Sequence, residues 1–242
     1  MSGADDVSTR LAALRARVAA AAERAAHPAQ QVTLVGVAKS HGAARVVEAV
    51  AAGLADVAES FAQEAREKLP EVAAALRARG LAPPRWHFVG RLQRNKARDV
   101  VALFDCVESL DREALARELD RRAAELGRAP FEVLIQVNLS GEAQKGGVAP
   151  DQVPGLLAAC VGLAHLRVVG LMTVPARPER PEASRPAFAA LRALRDRLCT
   201  APGGDTLREL SMGMSDDFEV AVEEGATRVR VGTALFGARV RA

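Results

Sequence analysis

The chain has 242 residues, of which 49% are hydrophobic, so it can bury the core of one large domain or two small ones. No apolar run approaches the roughly 20 residues of a membrane-spanning helix, and the N-terminus is polar, so we expect a soluble cytoplasmic protein with no membrane partner. The net charge is +3, but Arg and Glu alternate along segments such as residues 111–126, and aromatic residues make up only 3%. We therefore expect no nucleic-acid partner either.

Residues 7–26 are strong helix formers and predict a leading helix closed by His27 and Pro28. From residue 31 onward, a short β-rich run followed by a helical segment recurs along the chain. The predicted strands are 31–39, 54–60, 85–90, 104–109, 131–139, 166–173, 207–213 and 227–232. The predicted helices are 42–52, 61–79, 93–102, 111–126, 150–162, 182–199 and 216–224, before a final short turn.

Strands that are apolar on both faces and separated by helices indicate a parallel sheet. Eight such units predict one α/β domain over residues 1–242, a single (β/α)8 TIM barrel at 31–239 with an extra N-terminal helix at 1–28. The alternative is an open Rossmann-like sheet, but its G-x-G-x-x-G fingerprint is absent after the first strand, as is a Walker A motif. The Pro-rich stretch 175–186 is predicted to be a surface loop after the sixth strand.

The cysteines, Cys106, Cys160 and Cys199, are odd in number and far apart in the sequence. This pattern favours buried thiols over a disulfide framework. None of the histidines has metal-type spacing with cysteines or carboxylates, so we expect no metal site.

The chemistry of such barrels gathers at the C-terminal ends of the strands. The polar residues predicted there are Lys39, Glu59, Ser60, His87, Glu108, Ser109, Asn138, Thr173, Ser211, Ser215 and Arg230. Glu59 and Glu108 could share the barrel mouth as a carboxylate pair, or each could cap a neighbouring helix.

Lys39 ends the apolar stretch "LVGVAKS". A lysine at the barrel mouth can act as a point charge for an anion or as an amine that forms a Schiff base. The apolar run favours partial burial, which lowers the pKa of the ammonium group. The alternative is a lysine that simply extends into solvent.

The loops after the last two predicted strands have the composition of a phosphate site. "SMGMSDD" at 211–217 offers a flexible glycine and two hydroxyls, and Asp216 and Asp217 suit the first turn of the next helix. Gly232 and Thr233 offer backbone N–H groups that could point at an anion. With Lys39, these loops predict a ligand that carries a phosphate and an aldehyde, as pyridoxal 5'-phosphate (PLP) does.

Arg230 alternates with Arg228 on the eighth strand, so both are expected on one face. A guanidinium directed at the pyridine nitrogen of PLP cannot give up its proton, which weakens the ring as an electron sink. This suits a protein that holds PLP better than one that forms carbanions. The alternative is that both arginines point outward to helix carboxylates.

Five blocks in order resemble the pyridoxal phosphate homeostasis proteins, whose fold is similar to the barrel domain of bacterial alanine racemases. They are "VGVAKS", "WHFVGRLQRNK", "NLSGEAQKGG", "GLMTVP" and the stretch 210–239. The resemblance covers about residues 31–239 and implies that Lys39 forms the internal aldimine. It further implies a phosphate site at Ser215, Gly232 and Thr233, Arg230 at the pyridine nitrogen, and a pocket lined by His87, Asn95, Asn138 and Met212.

One motif departs from the family, which usually has Gly-Glu-Asn where this chain has Ala58, Glu59 and Ser60. We expect the shorter Ser60 hydroxyl to weaken cofactor binding by about 1 kcal/mol. Racemisation needs an acid/base on each face of the substrate, and the chain has no tyrosine to supply the second base that racemases use. We also expect no second racemase domain, because only three residues follow residue 239 in this sequence.

The sequence therefore predicts a non-catalytic, monomeric protein that binds PLP and buffers it or delivers it to PLP-dependent apoenzymes. One alternative is a racemase-like PLP enzyme acting on amino acids, with His87 as a further base. Another is a barrel that binds a sugar or nucleotide phosphate without forming an imine.

Overall fold

The computed structural model describes residues 6–25, 31–142, 146–176 and 178–238, and its sheet is a closed barrel of parallel strands. In chain order the strands are β1 (Thr33–Val37), β2 (Asp56–Glu59), β3 (Arg85–Phe88), β4 (Cys106–Leu110), β5 (Phe131–Gln136), β6 (Leu166–Met172), β7 (Glu209–Ser211) and β8 (Arg228–Val231). Each strand pairs with the next, and β8 returns to β1 with Val35 opposite Arg230. The predicted TIM barrel is confirmed, and the open Rossmann-like sheet is wrong.

Helices follow the strands around the barrel. In the described part of the chain they are α1 (Val7–Arg24), α2 (Ala43–Ala51), α3 (Ala62–Ala78), α4 (Ala97–Leu103), α5 (Glu113–Glu125), α6 (Val153–Val161), α7 (Arg185–Leu198), α8 (Phe218–Glu223) and α9 (Thr233–Phe236). None of these described helices is both long and apolar enough to cross a bilayer. The leading helix is confirmed, whereas the predicted stop at His27 and Pro28 lies outside the described residues.

Most predicted elements are a few residues longer than the observed ones, and two segments also differ in the type of structure. The segment 93–102 begins as a 3₁₀ turn, Arg94–Lys96, before α4. The Pro-rich stretch 175–186 is not all loop, because Pro181–Ser184 forms a 3₁₀ turn and α7 begins at Arg185. Proline is well accommodated in the first turn of a helix, where its missing N–H has no partner to lose.

Most of the core lies between the barrel and the helices. Gly36 of β1 faces outward, towards the helices. A Cβ added at Gly36 would lie 2.7 Å from Leu54 and 3.0 Å from Leu235. Glycine at this position therefore lets α9 pack closely against β1. A smaller apolar cluster of Cys106, Leu134, Val169 and Met172 forms separately from this outer core.

Two of the three cysteines are buried as predicted, but Cys199 is exposed. Cys199 directly follows Leu198, the last residue of α7, and it is Leu198 that packs in the core. Burial raises the pKa of the Cys160 thiol to about 11, so that thiol is unreactive at neutral pH.

Candidate functional site at the barrel mouth

Lys39 lies in a tight turn immediately after β1. The N–H of His41 donates to the carbonyl of Ala38 at 3.0 Å, which closes the turn around Lys39 and Ser40. Ser40 has a φ of +63°, a left-handed conformation that costs roughly 1–2 kcal/mol for a residue with a side chain. The predicted strand 31–39 therefore ends earlier, at Val37, because the backbone reverses at Lys39 and Ser40. Lys39 is half-buried, as predicted.

The turn that holds Lys39 lies beside the loop after β8. A Cβ added at Gly232 would be 3.4 Å from the carbonyl oxygen of Val37, two residues before Lys39. The ring of His41 packs against Phe236 of α9, with 5.2 Å between ring centroids. The β1–β8 pairing thus brings the predicted amine and the predicted phosphate loop to the same end of the barrel.

Ser215 connects the loops after β7 and β8. Its Oγ accepts the backbone N–H groups of Gly232 and Ala234, each at 3.3 Å. Backbone N–H groups that converge on one oxygen can also receive a phosphate oxygen. The structure therefore brings Ser215 together with Gly232 and Thr233, as the sequence predicted.

Asp217 holds the loop that carries Ser215. Its carboxylate accepts the N–H of Met214 at 2.7 Å and the hydroxyl of Ser184, also at 2.7 Å. The residue precedes α8 and is almost fully buried, so its predicted place in the first helical turn is wrong. The carboxylate turns back because the loop N–H group and hydroxyl would otherwise be buried without an acceptor.

Arg228 and Arg230 are both buried. Arg230 donates to Ser211 Oγ at 2.6 Å and to the Thr173 carbonyl at 2.7 Å. Arg228 lies 3.4 Å from Glu108, a residue of β4. Since alternation on β8 places both side chains on the inner face, the alternative of outward arginines is wrong. Burial lowers the pKa of Arg230, but a guanidinium still stays protonated at neutral pH.

His87 lies between two carboxylates in the barrel interior. Its Nδ1 is 2.8 Å from Glu108 and its Nε2 is 2.9 Å from Asp56. Burial disfavours the imidazolium, but its hydrogen bonds to these carboxylates outweigh that effect and raise the pKa of His87 well above its ordinary value. Burial likewise opposes ionisation of Glu108, yet His87, Arg228 and Arg230 hold its pKa below the ordinary range. Both ring nitrogens of His87 are therefore occupied.

The same region contains three groups with metal-ligating chemistry. Ligand atoms of His87, Cys106 and Glu108 all lie within 4.8 Å of one another, although their spacing in the sequence does not indicate it. The Arg228 guanidinium lies 3.6 Å from Cys106 Sγ and 3.4 Å from Glu108. A metal ion at this position would lie against the fixed positive charge of Arg228. We therefore interpret the cluster as part of a network of hydrogen bonds and ion pairs.

The predicted carboxylate pair does not form. Glu59 accepts a hydrogen bond from Lys68 of α3 at 2.6 Å, whereas Glu108 binds His87 and Ser211. The two carboxylates belong to separate networks because their side chains meet different elements.

Four further predicted residues occupy different surroundings. Asn138 closes its own loop, accepting from Ser140 and donating to the Glu142 carbonyl at 2.9 Å. Asn95 is exposed in the 3₁₀ turn, and Ser60 follows β2. Met212 is fully buried within the outer core. A direct role of these four in ligand binding stays a prediction.

Sequence reasoning missed two residues of α3 that contact the Lys39 turn. Lys68 Nζ donates to the carbonyl of Ala38 at 2.9 Å, and Glu64 Oε1 accepts the N–H of Ser40 at 2.8 Å. In the sequence, Glu64 and Lys68 have the i,i+4 spacing of an ordinary surface ion pair. They differ from such a pair in their contacts with the Lys39 turn and in the burial of Lys68.

Comparison with known proteins identifies the family. The family model of the alanine racemase N-terminal domain matches residues 9–240. The pyridoxal phosphate homeostasis protein of Pseudomonas aeruginosa is 44% identical over 234 residues, 96% of each chain, and that of Escherichia coli is 39% identical over 241 residues, 97% of each.

Solved structures agree with this match. PipY of Synechococcus elongatus, with PLP bound, is 38% identical with a TM-score of 0.82 and is matched over 96% of this chain and 100% of its own. An alanine racemase of Clostridium difficile, at 16% identity and a TM-score of 0.67 over 93% of this chain and 56% of its own, shares the fold. The chain therefore belongs to the pyridoxal phosphate homeostasis protein family.

Proposed function

We propose that this protein binds PLP as a Schiff base on Lys39 and holds it in the cytoplasm, buffering it or delivering it to PLP-dependent apoenzymes. The observation that carries the proposal is the meeting of a half-buried lysine and a cluster of backbone N–H groups where β1 and β8 end. Its PLP-bound relative PipY, matched over 96% of this chain, supports the choice of ligand.

The residues at the barrel mouth fit the functional groups of PLP. The phosphate would be held by Ser215 and by the backbone of Gly232 and Thr233, a donor set suited to an anion. The pyridine nitrogen would accept from Arg230, whose five N–H donors exceed the two protein acceptors described for it. PLP would supply the aldehyde to which the lysine adds.

The covalent step needs the amine of Lys39 in its neutral, deprotonated form. The amine adds to the aldehyde carbon, and water leaves as the C=N bond forms. The reaction is reversible by hydrolysis, which suits a protein that releases its ligand.

The site is poorly equipped for racemisation. Both nitrogens of His87 are engaged by carboxylates, so His87 has no nitrogen available to exchange a proton with a substrate. The sequence has no tyrosine. With Arg230 at the ring nitrogen, the ring would also stabilise a carbanion weakly. These three features favour a PLP holder over a racemase-like enzyme.

The first experiment is an absorption titration with PLP, followed by borohydride reduction and mass mapping. The chain has four lysines, Lys39, Lys68, Lys96 and Lys145, so the labelled position can be resolved. We expect an imine band that borohydride removes, a pyridoxyl group on Lys39, and loss of both in Lys39→Ala but not in Lys96→Ala. No band with wild-type protein would instead favour an ordinary phosphate ligand.

A second experiment separates a holder from an enzyme. The PLP-loaded protein is incubated with L- or D-amino acids in deuterated water, and exchange of the α-proton is followed by NMR. We expect no exchange beyond that of free PLP. Exchange well above that level would establish an enzymatic activity.

A further inference from the structure

We propose that Glu64 and Lys68 are positioning residues for Lys39, holding the peptide groups on either side of it so that its amine is directed into the pocket. This inference rests on the proposed function, since it concerns the lysine that would bind PLP. Glu64 and Lys68 both belong to α3, whereas Lys39 lies after β1.

Lys68 fixes the peptide group before Lys39. Its ammonium group has three N–H donors and meets three acceptors: the Ala38 carbonyl at 2.9 Å, Glu59 at 2.6 Å and Glu64 at 2.7 Å. The residue is only 6% exposed. With every donor used and little freedom to move, Lys68 holds the Ala38 carbonyl in one position.

Glu64 fixes the peptide group after Lys39. Its Oε1 accepts both the N–H of Ser40 and an N–H of Lys68, so one carboxylate oxygen connects the two contacts. Ser40 has the left-handed φ of +63°, a conformation that persists only where the surroundings enforce it. The bond from Ser40 to Glu64 supplies that enforcement.

Glu59 completes the network, although it is poorly suited to a purely stabilising role. It is fully buried, and its Oε2 has no hydrogen-bond partner among the described residues. Burial raises the pKa of Glu59 to about 7, although the hydrogen bond and charge of Lys68 act in the opposite direction. Buried ion pairs often stabilise a fold no better than apolar residues of the same size. Positioning of Lys39 accounts for a network that stability alone does not explain.

A test must separate positioning of Lys39 from general support of the pocket. Pyridoxine 5'-phosphate provides the separation, because it has an alcohol in place of the aldehyde and cannot form an imine. Its affinity reports on the phosphate and ring contacts, whereas the rate of imine formation with PLP reports on Lys39. Both are measured on purified full-length protein below its unfolding temperature.

We expect Glu64→Ala to slow imine formation roughly tenfold, since small misplacements of a reacting group have effects of this order or larger. The affinity for pyridoxine 5'-phosphate should stay at the wild-type value. Glu64→Gln should restore most of the rate, because its amide oxygen can still accept the N–H of Ser40. The matched control is Glu67→Ala, an exposed carboxylate on the same helix, which should behave as wild type.

Two results would overturn the inference. One is a wild-type rate of imine formation in Glu64→Ala, and the other is a loss of affinity for pyridoxine 5'-phosphate as large as the loss of rate. If Glu64→Ala does not fold by circular dichroism, the double variant Glu59→Gln with Lys68→Met removes buried charges together and releases the Ala38 carbonyl. This double variant should also form the imine more slowly while binding pyridoxine 5'-phosphate with wild-type affinity. If wild type itself forms no imine on Lys39, the proposed function fails, a result distinct from a failure of positioning.

Discussion

At the residue scale, His87 stabilises the interior of the barrel. Without its imidazole, Asp56 and Glu108 lose the group to which both are hydrogen-bonded. Glu108 is fully buried and Asp56 is partly buried. We expect His87→Ala to lower the free energy of unfolding by about 3 kcal/mol, measured by denaturant titration. The control is His165→Ala, a side chain 42% exposed, with an expected loss of about 0.5 kcal/mol. Equal losses in the two variants would contradict this account.

The same residue predicts a pH dependence with a definite sign. The folded-state pKa of His87 is raised, so its contribution to stability is complete below the unfolded value of about 6.5 and is lost as pH rises towards the folded value. Glu108 has a lowered pKa, so its contribution is lost only as pH falls in acid. The pKa of Glu59 is raised to about 7, so Glu59 also makes the free energy of unfolding fall as pH rises. Glu59 is present in both wild type and His87→Ala, so its effect cancels when the two are compared.

The measurement compares wild type with His87→Ala in denaturant titrations from about pH 6 to about pH 9, a range that starts near the unfolded histidine pKa. The free energy of unfolding of wild type should fall more steeply with pH than that of the variant. A wild-type slope equal to that of the variant would mean that His87 does not carry the charge inferred from its two carboxylates.

At the element scale, the loop between β7 and α8 is held from within by Asp217. Asp217→Ala leaves the Met214 N–H and the Ser184 hydroxyl without their acceptor. We expect a loss of about 2 kcal/mol in the free energy of unfolding, together with weaker binding of pyridoxine 5'-phosphate, because the same loop carries Ser215. Asp151→Ala, an exposed aspartate in the turn before α6, is the control and should change neither value appreciably. Unchanged ligand affinity in Asp217→Ala would separate this loop from the phosphate site.

At the scale of the whole molecule, we expect a monomer. Among the described residues, the exposed large hydrophobic side chains are Phe61 and Val161, at 58% and 57%. Single exposed apolar residues are normal on monomers, whereas obligate dimers bury extended apolar patches. Light scattering after size exclusion should give a mass near 25.5 kDa, independent of protein concentration. A mass of twice that value would contradict the prediction.

Also at this scale, the sequence was sufficient for the architecture and for much of the candidate site. Alternating apolar strands and helices predict the barrel, and closure then requires the loops after β7, β8 and β1 to meet at one end. Ser215 and Gly232 could be placed together for this reason alone. Strand lengths were predicted less well, because apolar residues such as Leu207 and Val32 pack in the core outside the hydrogen-bonded ladder.

The sequence by itself thus determined the order of the strands and the position of Lys39 just after β1. The functional role of this end of the barrel stays a prediction. Only the tertiary structure decided which charged groups pair inside it. Periodicity indicates the face on which a side chain lies, but the choice of partner depends on strand register and helix packing between residues far apart in the chain. Lys68 could have been a surface lysine beside Glu64, and the fold instead buries it against Ala38 and Glu59.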